Sequence, residues 1–67
     1  MKLDILKNKI FENRKTYKDC AEMLNISVTA FSNKMNGHTE FKVTEVINLA
    51  EYLSLSSEDC QTIFFNK

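Results

Sequence analysis

Apolar residues recur along the chain with the spacing of short amphipathic helices. Leu3, Leu6 and Ile10 follow one another at intervals of three and four residues, with Asp4 and lysines between them. This pattern predicts a first helix over about residues 3–13. The chain contains no proline and only one glycine. Helices can therefore run without interruption, whereas the many turns of a β fold would be hard to build.

The second predicted helix begins at Thr16, whose hydroxyl can cap the first turn. Asp19, three residues later, is an acidic partner for the positive end of that helix. Cys20, Ala21 and Leu24 give the helix an inner face of mostly small side chains. The helix is short, and we expect it to end near Leu24.

The third predicted helix follows after a tight turn. Asn25 tolerates left-handed backbone and can close the second helix without glycine. Ser27 is the next candidate N-cap, and the helix runs over residues 28–35, where Phe31 and Met35 lie four apart and face the core together. The other side chains of this helix are small or polar, and the Asn-Gly pair that follows ends it.

Two more helices complete the chain. The fourth is predicted from an apolar stripe, with polar residues directed outward; the stripe is Val43, Val46, Ile47, Ala50 and Leu53, and the outward residues are Glu45, Asn48 and Glu51. The fifth starts at a serine of Ser56-Ser57, with Glu58 and Asp59 at its positive end. Residues 1–67 are thus predicted to form a single all-α domain of five short helices around one core.

The composition excludes several classes of protein. Cys20 and Cys60 do not form a C-x-x-C pair, and His38 is the only histidine, so a zinc site lacks ligands. We expect two buried thiols in a reducing cytoplasm, with a disulfide as the alternative in a secreted protein. The N-terminus lacks a signal-peptide stretch, and no apolar run approaches the roughly 20 residues of a membrane span. We therefore expect a soluble cytoplasmic protein with no membrane partner.

Catalytic chemistry finds no support in the sequence. The chain has no nucleophile with a neighbouring base, no glycine-rich phosphate loop and no carboxylate pair placed as a catalytic dyad. We expect a protein that is not an enzyme and that uses no cofactor and no small-molecule substrate.

The charge is unevenly distributed along the chain. The net charge is +0, yet residues 1–42 hold eight basic and five acidic side chains, whereas residues 43–67 hold one and four. The N-terminal part is thus basic and the C-terminal part acidic. A local basic patch, rather than the sum over the chain, decides whether phosphates are attracted.

The stretch from Thr16 to Gly37 carries the functional signal. It reads TYKDCAEMLNISVTAFSNKMNG and resembles the helix-turn-helix of the phage repressor/Cro-type (XRE-like) family. The later run FKVTEVINLAEYLSL is similar to the fourth helix of that family, so the likeness covers nearly the whole chain. Two positions depart from the family pattern, since Asn25 replaces the usual glycine and Lys15 a frequent leucine.

The resemblance implies a lambda-repressor-like DNA-binding domain, in which helices 2 and 3 form the helix-turn-helix and the third helix enters the major groove. Its implied base-reading residues are Val28, Thr29, Ala30, Ser32 and Asn33. Its implied phosphate contacts are Thr16, Tyr17, Lys34, Asn36, His38 and Lys42. The side-chain chemistry agrees, because asparagine can pair with adenine and a threonine or valine methyl can pack on thymine. The expected function is transcription regulation by a repressor that occupies an operator in double-stranded DNA.

Phe64 and Phe65 predict a contact with a second subunit. Adjacent helical residues point about 100° apart, so one ring can close the core while the other packs against a partner. Family members commonly act as symmetric dimers, and we expect a homodimer on DNA. The zero net charge and the single arginine, Arg14, favour an alternative: a protein-interaction module that keeps the fold without binding DNA.

Overall fold

The computed structural model describes residues 1–65, and all regular secondary structure in that range is helical. The five helices are Leu3–Glu12 (α1), Tyr17–Leu24 (α2), Val28–Met35 (α3), Val43–Tyr52 (α4) and Ser57–Phe64 (α5). The prediction of five short helices is thus confirmed. In this part of the chain, none of the helices has the length and apolar character needed to cross a membrane.

Three helices begin at hydroxyl caps, as the sequence predicts. The Thr16 hydroxyl accepts the Asp19 N–H at 3.1 Å, and the Asp19 carboxylate accepts the Thr16 N–H at 2.8 Å. Ser56 and Asp59 form the same reciprocal pair at the start of α5. Ser27 caps α3 by accepting the Ala30 N–H at 3.0 Å. Each cap satisfies amide groups that the first turn of a helix leaves without a partner, and so fixes where that helix starts.

The first four helices end in the same way. Each is followed by a residue in left-handed backbone: Arg14 (φ 57°), Asn25 (φ 58°), Gly37 (φ 80°) and Ser54 (φ 54°). The next N–H along the chain then donates to a carbonyl oxygen five residues back, as from Ile26 to Ala21 at 3.0 Å. This is the geometry of a Schellman end, which usually takes glycine. The chain supplies glycine at one of these four positions only.

A line of aromatic rings runs through the core. Tyr17, Phe31, Phe41 and Phe64 meet edge to face in sequence, with centroids 5.2, 6.0 and 6.2 Å apart. Phe31 is fully buried, and Met35 is buried beside it. The other core residues come from α1, α2, α4 with the residue that follows it, and α5: Leu6, Ile10, Cys20, Ala21, Val46, Leu49, Leu53 and Ile63. The aromatic line therefore joins the inner faces of α2 and α3 to the end of α5.

The buried stripe of α4 differs from the predicted one. Val46 and Leu53 are buried as predicted, but Val43 and Ile47 are 75% and 53% exposed. Leu49, which the predicted stripe omits, is fully buried. The helix is rotated so that its core face is centred on Val46, Leu49 and Leu53. Both stripes have helical spacing, and only the packing against α2 and its neighbours selects between them.

The same rotation buries Glu45, which the sequence analysis placed outward. Its residue exposure is 7%, and its carboxylate pairs with Lys34 of α3. The outward prediction for Glu45 was wrong. A carboxylate can be buried where a cation and hydrogen-bond donors lie nearby, and the prediction did not include such partners. Here both come from elements that the helical pattern of α4 does not include.

The two cysteines are free thiols. Cys20 is fully buried in α2, as predicted, whereas Cys60 on α5 is only half-buried. Burial, followed by the nearby charge of Asp19, raises the pKa of the Cys20 thiol to about 11. Cys20 therefore packs as an apolar side chain rather than as a nucleophile.

Candidate nucleic-acid interface

The α2–turn–α3 unit spans residues 16–36, and its two helices pack against each other. α2 packs most closely against α3, and only residues 25–27 connect them. The left-handed Asn25 and the bond from the Ile26 N–H to the Ala21 carbonyl oxygen turn the chain between the two helices. Ala21 is 1% exposed, and its small side chain suits a close helix contact. The edge-to-face contact of Tyr17 with Phe31 joins the two helices near their starts.

The α3 outer face is the surface formed by Val28, Thr29, Ala30, Ser32 and Asn33. Thr29 and Asn33 are exposed and, being four apart, project within about 40° of each other. Ala30 and Ser32 are half-buried at the edges of this face, and Val28 is 46% exposed at the helix start. All five predicted base-reading residues therefore lie on one accessible helix. The side chains on this face are short, so another surface can approach the helix closely.

Asn36 and His38 lie just beyond the last turn of α3. The Asn36 amide nitrogen donates to the Ser32 hydroxyl at 3.5 Å, and the His38 N–H donates to the Asn33 carbonyl oxygen at 2.9 Å. Both side chains are exposed, as is that of Lys42 at the end of the same loop. These three predicted phosphate contacts are brought to one end of the α3 outer face.

Thr16 and Tyr17 lie at the other end of the unit, at the start of α2. The Thr16 hydroxyl and N–H both bond to the Asp19 carboxylate, at 3.0 and 2.8 Å. These bonds, the backbone one foremost, hold the pKa of Asp19 below its usual range. The positive end of α2 thus already faces a carboxylate, which a phosphate would have to displace or share. Burial, followed by the nearby Cys20, raises the pKa of Tyr17, which is half-buried.

Lys34 does not point into solvent, although the sequence analysis placed it among the phosphate contacts. Its side chain is 12% exposed, and its Nζ lies 3.0 Å from Glu45 Oε1 and donates to the Glu40 carbonyl oxygen at 3.0 Å. Burial raises the pKa of Glu45, but the Lys42 N–H bond and the pairing with Lys34 outweigh this. The pKa of Glu45 consequently lies below its usual range. Lys34 is held by the protein's own acceptors, so this arrangement does not offer it to a phosphate.

Two other cations near the N-terminal half are held by neighbouring side chains. Lys15 Nζ lies 4.8 Å from the Tyr52 ring centroid, and Lys9 lies 3.7 Å from Asp59. Lys7 and Lys18 are exposed. The basic excess of residues 1–42 is therefore partly offset by carboxylates of the C-terminal part, since Asp59 lies near Lys9 and Glu45 pairs with Lys34.

A second surface, here called the apolar cleft, lies between the start of α4, the end of α5 and the N-terminus. It is lined by Met1, Phe41, Val43, Val46, Ile47, Phe64 and Phe65. Phe65 is 66% exposed and Phe64 only 8%, which matches the prediction that one ring closes the core. Phe64 therefore has little surface left for a partner. Sequence reasoning missed three of these residues: Met1, and Val43 and Ile47, whose exposure depends on the rotation of α4.

Among residues 1–65, no three His, Cys, Asp or Glu side chains are grouped so that they could hold a metal ion. Comparison with known proteins adds no assignment, because no family model, no curated protein and no solved structure matches this chain.

Proposed function

We propose that this protein is a sequence-specific DNA-binding transcriptional regulator in which α2 and α3 form a helix-turn-helix. α3 lies in the major groove of an operator, and Asn33 and Thr29 contact base edges. The observation that carries the proposal is the α3 outer face itself. It pairs exposed Thr29 and Asn33 on the helix side opposite the buried Phe31 and Met35.

The surroundings of α3 support this arrangement. Asn36, His38 and Lys42 are exposed at its C-terminal end and can hold phosphates, while Tyr17 and Thr16 lie at the start of α2. Phosphate contacts of this kind set the register of a protein on the duplex, whereas base contacts determine sequence preference. The resemblance of residues 16–37 to the Cro-type family agrees with the proposal. It points to a repressor of phage or mobile-element type that acts by occupying its site.

The regulator binds as a symmetric homodimer through the apolar cleft. Met1, Val43, Ile47 and Phe65 are each more than half exposed. A cluster of exposed apolar side chains of this kind is characteristic of a protein contact surface. A two-fold dimer would present two copies of α3 to two half-sites.

A protein-interaction module is the second candidate, and the state of Lys34 favours it. Lys34 is the only charged residue of α3, and it is paired with Glu45. Phosphate neutralisation supplies much of the affinity of most DNA-binding proteins, and here α3 contributes none of it.

Selection from random duplexes decides between the two candidates. The full chain is used at about 50 mM salt, and the enriched sequences are measured again near 150 mM, where phosphate contacts weaken. A two-fold-related motif with half-sites about one helical turn apart supports the regulator. Absence of enrichment at both salt concentrations supports the interaction module and overturns the regulator.

A further inference from the structure

Lys34 and Glu45 form a buried clasp across the loop between α3 and α4. The two side chains are 12% and 10% exposed, and Nζ and Oε1 are 3.0 Å apart. The same carboxylate oxygen accepts the Lys42 N–H at 2.8 Å, and Lys34 also bonds to the Glu40 carbonyl oxygen. The clasp thus joins the last turn of α3 to the loop that carries His38 and Lys42.

Lys34 lies where an unpaired cation could reach a DNA phosphate. It follows Asn33 directly, and its neighbours Asn36, His38 and Lys42 are the proposed phosphate contacts. A lysine has a long flexible stem and a compact charge that suits a phosphate well. Without Glu45, Lys34 would lose the carboxylate that keeps it inside the protein. A cation at this place would then add phosphate affinity that is the same for every sequence.

The stability of the fold does not by itself explain why positions 34 and 45 hold an ion pair. A buried ion pair is costly to desolvate, and apolar residues of similar volume are often equally stabilising. The site lies beside Phe41, whose ring centroid is 5.9 Å from Nζ, so an apolar side chain at position 34 would have a partner. We therefore expect the charges of Lys34 and Glu45 to have a role other than packing.

We propose that Glu45 is a positioning residue that withholds Lys34 from DNA phosphates and so limits sequence-independent binding. The inference rests on the proposed DNA-binding function. Discrimination between sequences is then left to base contacts by Thr29 and Asn33, because phosphate contacts carry no sequence information. The protein thereby gives up one cation on α3 and binds every duplex less tightly, so that base contacts supply a larger share of its affinity for its own site.

The test uses a random-sequence duplex and the salt dependence of binding to it. Glu45→Gln keeps an oxygen for the Lys42 N–H but removes the charge that holds Lys34. Glu51→Gln is the matched control, since it removes an equal charge from an exposed position of the same helix. We expect Glu45→Gln to bind roughly five to ten times more tightly at low salt, with a log–log salt slope steeper by about 0.9. Glu51→Gln should leave that slope unchanged.

The double variant Lys34→Met/Glu45→Gln has the same net charge as the parent and contains no buried ion, so it tests the inference even where Glu45→Gln folds poorly. We expect the double variant to have the salt slope of the parent. A shallower slope would show that Lys34 already contacts a phosphate in the parent, which overturns the inference. Equal slope changes in Glu45→Gln and Glu51→Gln would overturn it as well, while DNA binding itself stands. Failure of the parent and all variants to bind any duplex would overturn the proposed function and the inference together.

Discussion

The ring of Tyr17 packs edge-on against the ring of Phe31, with the centroids 5.2 Å apart and the ring planes at 75°. Tyr17 is the first residue of α2 and Phe31 is the buried centre of α3, so this contact helps fix the angle between the two helices. The same tyrosine is a proposed phosphate contact. The packing of its ring and the proposed phosphate contact of its hydroxyl can therefore be tested separately.

Tyr17→Phe should keep the fold and weaken DNA binding. The ring still packs on Phe31, so the free energy of unfolding should change by less than about 1 kcal/mol. Loss of a phosphate hydrogen bond should weaken binding to specific and random duplexes alike, because such a contact does not read sequence. Denaturant unfolding and duplex titration check the two effects. Equal binding by parent and variant would remove Tyr17 from the phosphate contacts.

Arg14→Gly should stabilise the protein. Arg14 has φ 57°, and left-handed backbone costs a residue with a side chain roughly 1–2 kcal/mol. Part of this gain is offset because glycine is more flexible in the unfolded chain, so we expect an increase of about 0.5–1 kcal/mol. Urea denaturation midpoints measure it.

Gly37→Ala should have the opposite effect to Arg14→Gly and destabilise the protein, because both residues have left-handed backbone after a helix. An added Cβ would lie 3.9 Å from Leu3 Cδ1, an ordinary contact, so the cost is confined to the backbone at φ 80°. We expect a loss of about 1 kcal/mol. If Arg14→Gly destabilised the protein, or Gly37→Ala did not, this account of the helix ends would be wrong.

Helix limits were largely predictable from the sequence because caps are local chemistry. Thr16, Ser27 and Asn25 each act through atoms within five residues along the chain, and the structure places them as predicted. The inner residues Phe31 and Met35 were predictable because the rest of α3 is small or polar.

The clasp and the apolar cleft were not predictable in the same way. The residues Val43 to Leu53 allow two apolar stripes that differ by a rotation of the helix, and packing by other helices selects one. Pairing of Lys34 with Glu45 depends on how the loop between α3 and α4 brings distant residues together. One sequence signal did exist: Lys34 is the one charged residue on an otherwise small and neutral helix.

Acid should destabilise the protein through three carboxylates whose pKa values are lowered in the fold, the capping Asp19 and Asp59 and the paired Glu45. Backbone hydrogen bonds from Thr16 and Ser56 hold the pKa values of Asp19 and Asp59 below their usual range. Since the folded pKa is the lower one, this stability is complete above the unfolded pKa of about 4 and is lost as the pH falls through the folded value. Denaturant midpoints measured from pH 6 down to pH 2.5 should fall mainly below pH 4. In Asp19→Asn the fall should be smaller. Midpoints that stayed constant over this range would contradict the assignment of both caps.

Ile47→Ser and Phe65→Ser should weaken self-association. Both side chains are more than half exposed in the apolar cleft, and a polar residue there removes buried apolar area from a dimer. Phe11→Ser is the control, because Phe11 is 69% exposed on α1 and does not line the cleft. Sedimentation velocity over a range of protein concentrations, with and without operator DNA, measures the effect. If Phe11→Ser weakened the dimer and the other two variants did not, the interface would lie elsewhere.

The central claim, that the α3 outer face reads base edges, is tested most directly by Asn33→Ala on the duplex obtained by selection. Asn48→Ala is the control, since Asn48 is an exposed asparagine on α4. The account predicts that Asn33→Ala loses about 1–3 kcal/mol of affinity for the selected site, and less than that for a random duplex. It also predicts relaxed preference at one base pair of each half-site, with Asn48→Ala unchanged. Parent-like affinity and preference in Asn33→Ala would contradict the account.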